Sequence, residues 1–443
     1  MGLGWYGKWM TRWETDLTTR DTNRVVRPLE WGFDWLADFS DAAGEAAGDA
    51  ASQGVPQGLK PHLNQEVYGT GKPVPLSKTG LPAASAVLVP AEENGSAAGL
   101  GDLDQMIAVN EEIVRRSDDF FGYAVPQDFR LEERHPELFP TNVRPETLAQ
   151  EAEMKRQAAA GELEPAEFLR FTSAVRTPYP ENDQVNARWY PAPADKQQPG
   201  KPKQAIIVMP QWNADALSHN VFCKMANRFG VSALRLSKPY HDIRRPAELE
   251  RSDYAMSANV GRTISACRQA VVDIRSCMDW LETQGYTQFG VLGTSLGSCY
   301  AFIAAAHDPR LRVCAFNHAS TWVGDVVWQG QSTRHVRAAF EEAGLTQDQV
   351  REMFKGISPM AYMERFATAP KRVLVVHATY DLTFPLHLSQ DVLTNFERCG
   401  VDYVSKVLPC GHYTSGETPY KYMDGWYVGS FLYQAFRDLA RQG

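Results

Sequence analysis

From residue 168 to the C-terminus the chain alternates short apolar runs with longer amphipathic stretches, and this alternation limits the fold more than any other feature. Two runs, Phe168 to Val175 and Gln184 to Tyr190, flank a turn around Pro180, Asn182 and Asp183 and read as an antiparallel pair. Six further strands are expected at Ala205–Met209, Val231–Leu236, Phe289–Gly293, Arg312–Phe316, Arg372–His377 and Tyr403–Leu408. Helical stretches from Ser218 to Phe229, Ser257 to Gln284 and Leu296 to Ala306 separate several of them. A strand that crosses over through a helix to a parallel strand does so right-handedly, so the sheet should be mostly parallel, with helices on both faces. The fold class is α/β.

A chain of 443 residues exceeds the size of one average domain. We therefore expect two regions, an N-terminal extension over residues 1–165 and a catalytic-type domain over 166–443. In the extension, Trp5, Trp9, Trp13 and Leu17 recur every four positions, as do Trp31, Trp35 and Phe39. Such spacing places them on one helix face, to pack on the main domain or on a second copy of the chain. Residues 41–100 are dominated by Ala, Gly, Ser and Pro and read as an irregular connection. From Leu103 to Phe168 the chain reads as helical, interrupted at Pro126, Pro136, Pro140 and Pro145.

The formal charge of −8 argues against nucleic acid as a partner, because binding phosphates needs a basic face. No apolar stretch is long enough to span a bilayer, and the Trp-rich start lacks the form of a secretory signal. The acidic balance also argues against membrane contact through the N-terminal helix. Seven cysteines, an odd number without metal-type spacing, suit a reducing cytoplasm and give no zinc site.

The chemistry is concentrated at Gly293-Thr-Ser-Leu-Gly297, where an apolar strand meets a helix. A G-x-S-x-G sequence in that setting holds its serine on a turn so tight that the flanking positions have no room for side chains. Ser295 is then the nucleophile, and its weakly acidic hydroxyl needs a base. His412, in the loop after the last expected strand, is the candidate among ten histidines. Asp381, in the loop after the preceding strand, is the carboxylate that would orient it, with Asp325 in reserve. The oxyanion needs two amide donors. Leu296, directly after the nucleophile, supplies one, and Gln211 or Trp212, in the loop after the Ala205–Met209 strand, the other.

With these motifs in place, residues 168 to 440 resemble the α/β-hydrolase superfamily: an antiparallel opening pair, then the elbow at Ser295, the acid at Asp381 and the base at His412, in that chain order. The resemblance implies a serine hydrolase that cleaves a carboxylic ester through an acyl-enzyme, without cofactor or metal. Acyl transfer, amide hydrolysis or a non-catalytic binding role on the same scaffold remain open, because one scaffold serves many chemistries. The insertion over residues 322–363 is expected to form a small helical lid. Loop residues at strand ends, among them His241, His318 and Trp322, are expected to contact the substrate. Their polarity suggests a small-molecule ester with hydrogen-bonding groups of its own.

Overall fold

The computed structural model describes residues 4–20, 23–39, 100–141, 145–197 and 200–442. The Ala/Gly-rich connection expected over 41–100 lies outside the described residues, apart from Leu100 at the start of a helix. Nine strands form one sheet: β1 (Arg130–Arg134), β2 (Ala166–Thr172), β3 (Gln184–Tyr190), β4 (Lys203–Met209), β5 (Val231–Leu236), β6 (Tyr286–Thr294), β7 (Leu311–Asn317), β8 (Arg372–Ala378) and β9 (Tyr403–Leu408). Their order is β1-β2-β3-β5-β4-β6-β7-β8-β9. β1, β2 and β3 pair antiparallel, as does β3 with β5, and every later pairing is parallel. The central strands β4 and β6 are apolar along most of their length because helices cover both faces.

The helices that matter for the site are α1 (Trp5–Thr19), α2 (Leu100–Arg115), α3 (Asn220–Arg228), α4 (Val260–Thr283), α5 (Leu296–His307) and α6 (Tyr420–Gln442). Between β7 and β8 lie helices at Val323–Gln329, Arg334–Glu342 and Gln347–Met353, within the insertion expected to form a lid. The last of them opens with a capping box between Thr346 and Gln349.

Two expectations for the N-terminal region are corrected. The stretch read as helical from Leu103 to Phe168 contains β1, whose sequence Arg-Leu-Glu-Glu-Arg is that of a charged edge strand. The stripe of α1 docks only in part: Trp13 packs against the core and Leu17 is buried, as are Met10 and Glu14, whereas Trp5 is 81% exposed and Trp9 47%. Met10, Glu14 and Leu17 share a face (i, i+4, i+7) that meets the stripe at Leu17, and Met10 joins the cluster of Leu408, Cys410 and Tyr420. The second stripe does pack inward, with Trp35 stacked on Tyr179 and Phe39 edge-on to Phe120. Leu36, Phe39, Leu103, Met106, Ile113 and Phe120 belong to the same buried cluster as the sheet. No described helix is long and apolar enough to cross a membrane.

Candidate active site

β6 runs into α5 through the Gly293–Gly297 turn, and Ser295 sits at its apex with φ 56° and ψ −122°, a conformation strained for a residue with a Cβ. The flanking glycines are required by contact. A Cβ on Gly293 would lie 2.4 Å from the Gly297 carbonyl oxygen, and one on Gly297 would lie 2.3 Å from that of Met209. The turn is held by the Ser295 amide donating to Asn317 (2.8 Å) and by Ser298 Oγ donating to the carbonyls of Ser295 and His318.

The loops after β8 and β9 bring two more side chains to this apex. His412 Nε2 lies 2.9 Å from Ser295 Oγ, and His412 Nδ1 lies 2.9 Å from Asp381 Oδ2. Asp381 is buried, and its Oδ1 accepts the amides of Thr383 (2.8 Å) and Phe384 (2.6 Å). Burial alone would raise this carboxyl; the charge of His412 and hydrogen bonds from His318 and His412 outweigh it and hold it far below the usual carboxylate range. The Phe384 ring lies parallel to the imidazole of His412 at 5.2 Å, fixing its plane.

A second imidazole shares the acid. His318, at the end of β7, places Nδ1 3.0 Å from the same Asp381 oxygen, with its ring 4.4 Å from that of His412. Burial pushes its titration down, but the hydrogen bond and charge of Asp381, with Asp424 and Glu14 beyond, raise it overall. Expected to contact substrate, His318 does reach the cavity wall, and it also belongs to the acid's own network. His318, Asp381 and His412 could in principle hold a metal ion. Both Nδ1 atoms point at one carboxylate oxygen at hydrogen-bond distance.

The cavity in front of Ser295 has a volume of about 910 Å³. Leu296, Gln211, Trp212 and Trp322 all border it. The Gln211 carbonyl accepts from Lys238 Nζ (2.8 Å), a fully buried amine, and from the Ala214 amide (3.2 Å). In a trans peptide the N–H points opposite to the carbonyl, so the Trp212 amide faces away from Lys238. His241, expected in the pocket, is not on its wall. Buried beneath the 211–214 loop, it is held neutral chiefly by desolvation, and its Nε2 accepts the Asn213 amide (3.1 Å). The expected polar rim is met only in part: His318 and Trp322, with Asn317 and Ser320, border the cavity, but much of the wall is Val221, Phe222, Met225, Met256, Val326 and Phe384. Arg244 is buried against Asp273 at 2.9 Å, away from substrate. Asp325 pairs with Arg351 in the lid at 3.0 Å and takes no part in the site.

His219, which sequence reasoning passed over, lines the cavity and reaches Thr294 Oγ1 at 2.8 Å; burial pushes its titration down to about 3. Only its place after the loop that follows β4 hinted at this.

The sheet order, the strained serine between two glycines that admit no side chain, and acid and base at successive strand ends coincide with a sequence match. Residues 267–423 match the prolyl oligopeptidase family, which lies in the α/β-hydrolase clan. The chain has the α/β-hydrolase fold. The matched stretch of this α/β-hydrolase runs from α4 through the elbow and Asp381 to the loop of His412, well under half of the chain, and places it among serine hydrolases. No curated protein matches it in sequence. Similar solved structures include an acetyl xylan esterase from a Thermoanaerobacterium species (14% identity, TM-score 0.47, 74% of this chain and 93% of that one). Another is an acetyl xylan esterase from a Paenibacillus species (12%, 0.47, 77% and 96%). A third is the acylaminoacyl peptidase of Pyrococcus horikoshii (11%, 0.45), where 61% of this α/β-hydrolase aligns with 46% of the peptidase, so the chain spans less than half of that protein.

Proposed function

We propose that the protein hydrolyses carboxylic esters of apolar acids through an acyl-enzyme. The observation that carries this reading is the unbroken relay from Ser295 Oγ through His412 to Asp381, each step 2.9 Å, opening on a largely apolar cavity. His412 Nε2 takes the hydroxyl proton as Ser295 Oγ attacks the ester carbonyl, and Asp381 stabilises the imidazolium that results. The amides of Leu296 and Trp212 receive the oxyanion; among the described residues neither has another acceptor. Collapse expels the alcohol, which takes the proton from His412. Water, deprotonated by the same imidazole, then cleaves the acyl-enzyme and restores Ser295. The substrate is a small molecule, and seven free cysteines suit a reducing compartment.

Peptide-bond hydrolysis is a second reading, favoured by the family match. Against it, apart from histidines the cavity is bordered by few ionisable groups, chiefly Lys421 and Asp424, and Asp424 is engaged by Asn317 at 2.9 Å. Most of the exposed wall is apolar, so a peptide would pair its own polar groups less completely there than an apolar acyl chain would bury its surface.

Fluorophosphonate labelling together with a p-nitrophenyl ester series tests the proposal. The intact protein should label and Ser295→Ala should not. His412→Ala should lose roughly 10⁴-fold in kcat. Octanoyl ester should be cleaved faster than acetyl ester, and both faster than N-acetylalanine p-nitroanilide. A preference for the anilide would favour the peptidase reading, and labelling of Ser295→Ala would remove the nucleophile from its role.

A further inference from the structure

We propose that Glu14 of α1 is a positioning residue for His412, so that the N-terminal helix is a working part of the active site; the inference rests on the reading of His412 as the base. The loop that carries His412 lies between β9 and α6 and has only a single 3-10 turn, Thr414–Gly416, of its own. Its backbone is tied from outside. Glu14 is fully buried, and its two carboxylate oxygens accept the amides of Tyr413 (2.8 Å) and Thr414 (2.9 Å), the two residues directly after His412. Burying a carboxylate is costly unless its oxygens are satisfied, and here they are satisfied by this loop. Burial raises the Glu14 carboxyl, and the two amides pull the other way.

The chain around the loop is shaped to receive this group. Gly411 has an ordinary negative φ, so the turn does not demand glycine there. What demands it is Glu14: a Cβ on Gly411 would lie 2.4 Å from the carboxylate. On the N-terminal side of the loop, Tyr6 Oη of the same helix donates to the Pro409 carbonyl and lies 2.8 Å from Tyr420 Oη. The loop closes on itself through the Gly411 amide to Thr414 Oγ1 (2.6 Å) and Ser415 Oγ to the His412 carbonyl (2.7 Å). At its far end α1 reaches the lid, where Thr18 Oγ1 donates to Gln331 Oε1 (2.7 Å) and Arg334 donates to the Thr18 carbonyl (3.1 Å). One helix thus holds the histidine loop and the base of the lid in a common frame. A carboxylate suits this task because it offers two acceptors to two adjacent donors. A glutamine would accept one amide and turn its own NH₂ toward the other.

The test uses full-length protein and p-nitrophenyl octanoate. Glu14→Gln should lower kcat about 30- to 100-fold, the scale of a misplacement near 1 Å, with KM within about twofold. Fluorophosphonate labelling should slow in parallel. Gly411→Ala, which displaces the carboxylate from the loop side, should give the same pattern. Val271→Ala, a core truncation in α4 off the cavity wall, serves as the stability control and should lower Tm while keeping kcat within about twofold. A Glu14→Gln enzyme with unchanged kcat overturns the inference. So does a kcat loss no greater than that of Val271→Ala at equal Tm loss. His412→Ala is assayed beside them. If it is inactive while Glu14→Gln is normal, the inference alone falls; if it is active, the underlying reading of the base falls.

Discussion

At the scale of single residues, the least expected feature is one carboxylate oxygen serving two imidazoles. Asp381 Oδ2 accepts from Nδ1 of both His412 and His318, while its other oxygen is held by two backbone amides, so the acid has little freedom to move. The hydrogen bond and charge of Asp381 raise the titration of His318, and an imidazolium there would sit beside the ring proposed to accept a proton from Ser295. Like charge in that position opposes protonation of the base. His318→Gln keeps a donor for Asp381 and removes the charge. The acid limb of the kcat/KM profile should then move to higher pH, since the base is protonated more readily, with kcat on the plateau within several-fold. An acid limb that stays in place would mean that His318 is uncharged in the working enzyme. That Ser295, Asp381 and His412 would come together was legible in the sequence, because each follows an apolar run that ends at the same edge of the sheet. Glu14 was not legible. Its importance depends on which face of α1 docks, and Trp5 and Trp9, which open the pattern, are exposed.

At the scale of elements, strands flanked by helices were read correctly where burial makes their sequences apolar, as in β4 and β8. β1 was missed because an edge strand needs no such pattern: its Arg and Glu side chains face solvent and protect the open edge. His241 was misplaced for a related reason. A strand-end position says that a side chain lies near the loops, but not whether it turns toward the cavity or, as here, beneath the 211–214 loop. The elbow is the element most narrowly fixed by contact. Gly297→Ala would drive a methyl group into the carbonyls of Met209 and Pro210, which are backbone atoms of β4 and the loop after it and have little room to yield. We expect a loss of about 3 kcal/mol or more, at the upper end of overpacking, visible as a lower urea midpoint. Gly101→Ala, in α2 with open space around it, should be neutral or stabilising by up to about 1 kcal/mol.

At the scale of the whole molecule, the antiparallel front of the sheet must be joined to the parallel part that carries the site, and a buried ion pair does much of this. Arg244 follows β5 and is fully buried. It donates to the carbonyls of Asn182, just before β3, and Ser237, and pairs with Asp273 of α4 at 2.9 Å. Asp273 also accepts from Ser173, just after β2, at 2.6 Å. Burial raises the Asp273 carboxyl, and the Arg244 charge opposes that rise. Three stretches of chain therefore meet at this ion pair: the connection from β2 to β3, the segment after β5, and α4. Removing one partner of such a pair leaves the other charge buried without compensation, at a cost of about 3–5 kcal/mol. Asp273→Asn should accordingly unfold at a clearly lower urea concentration. Because the pair touches neither the Ser295 elbow nor the His412 loop, kcat measured well below the unfolding midpoint should stay within about twofold of the parent. A variant of normal stability would show that the backbone carbonyls around Arg244 suffice to hold it. A folded variant with a large loss of kcat would show instead that the front of the sheet bears on the site, most directly through the 211–214 loop, which lies over His241.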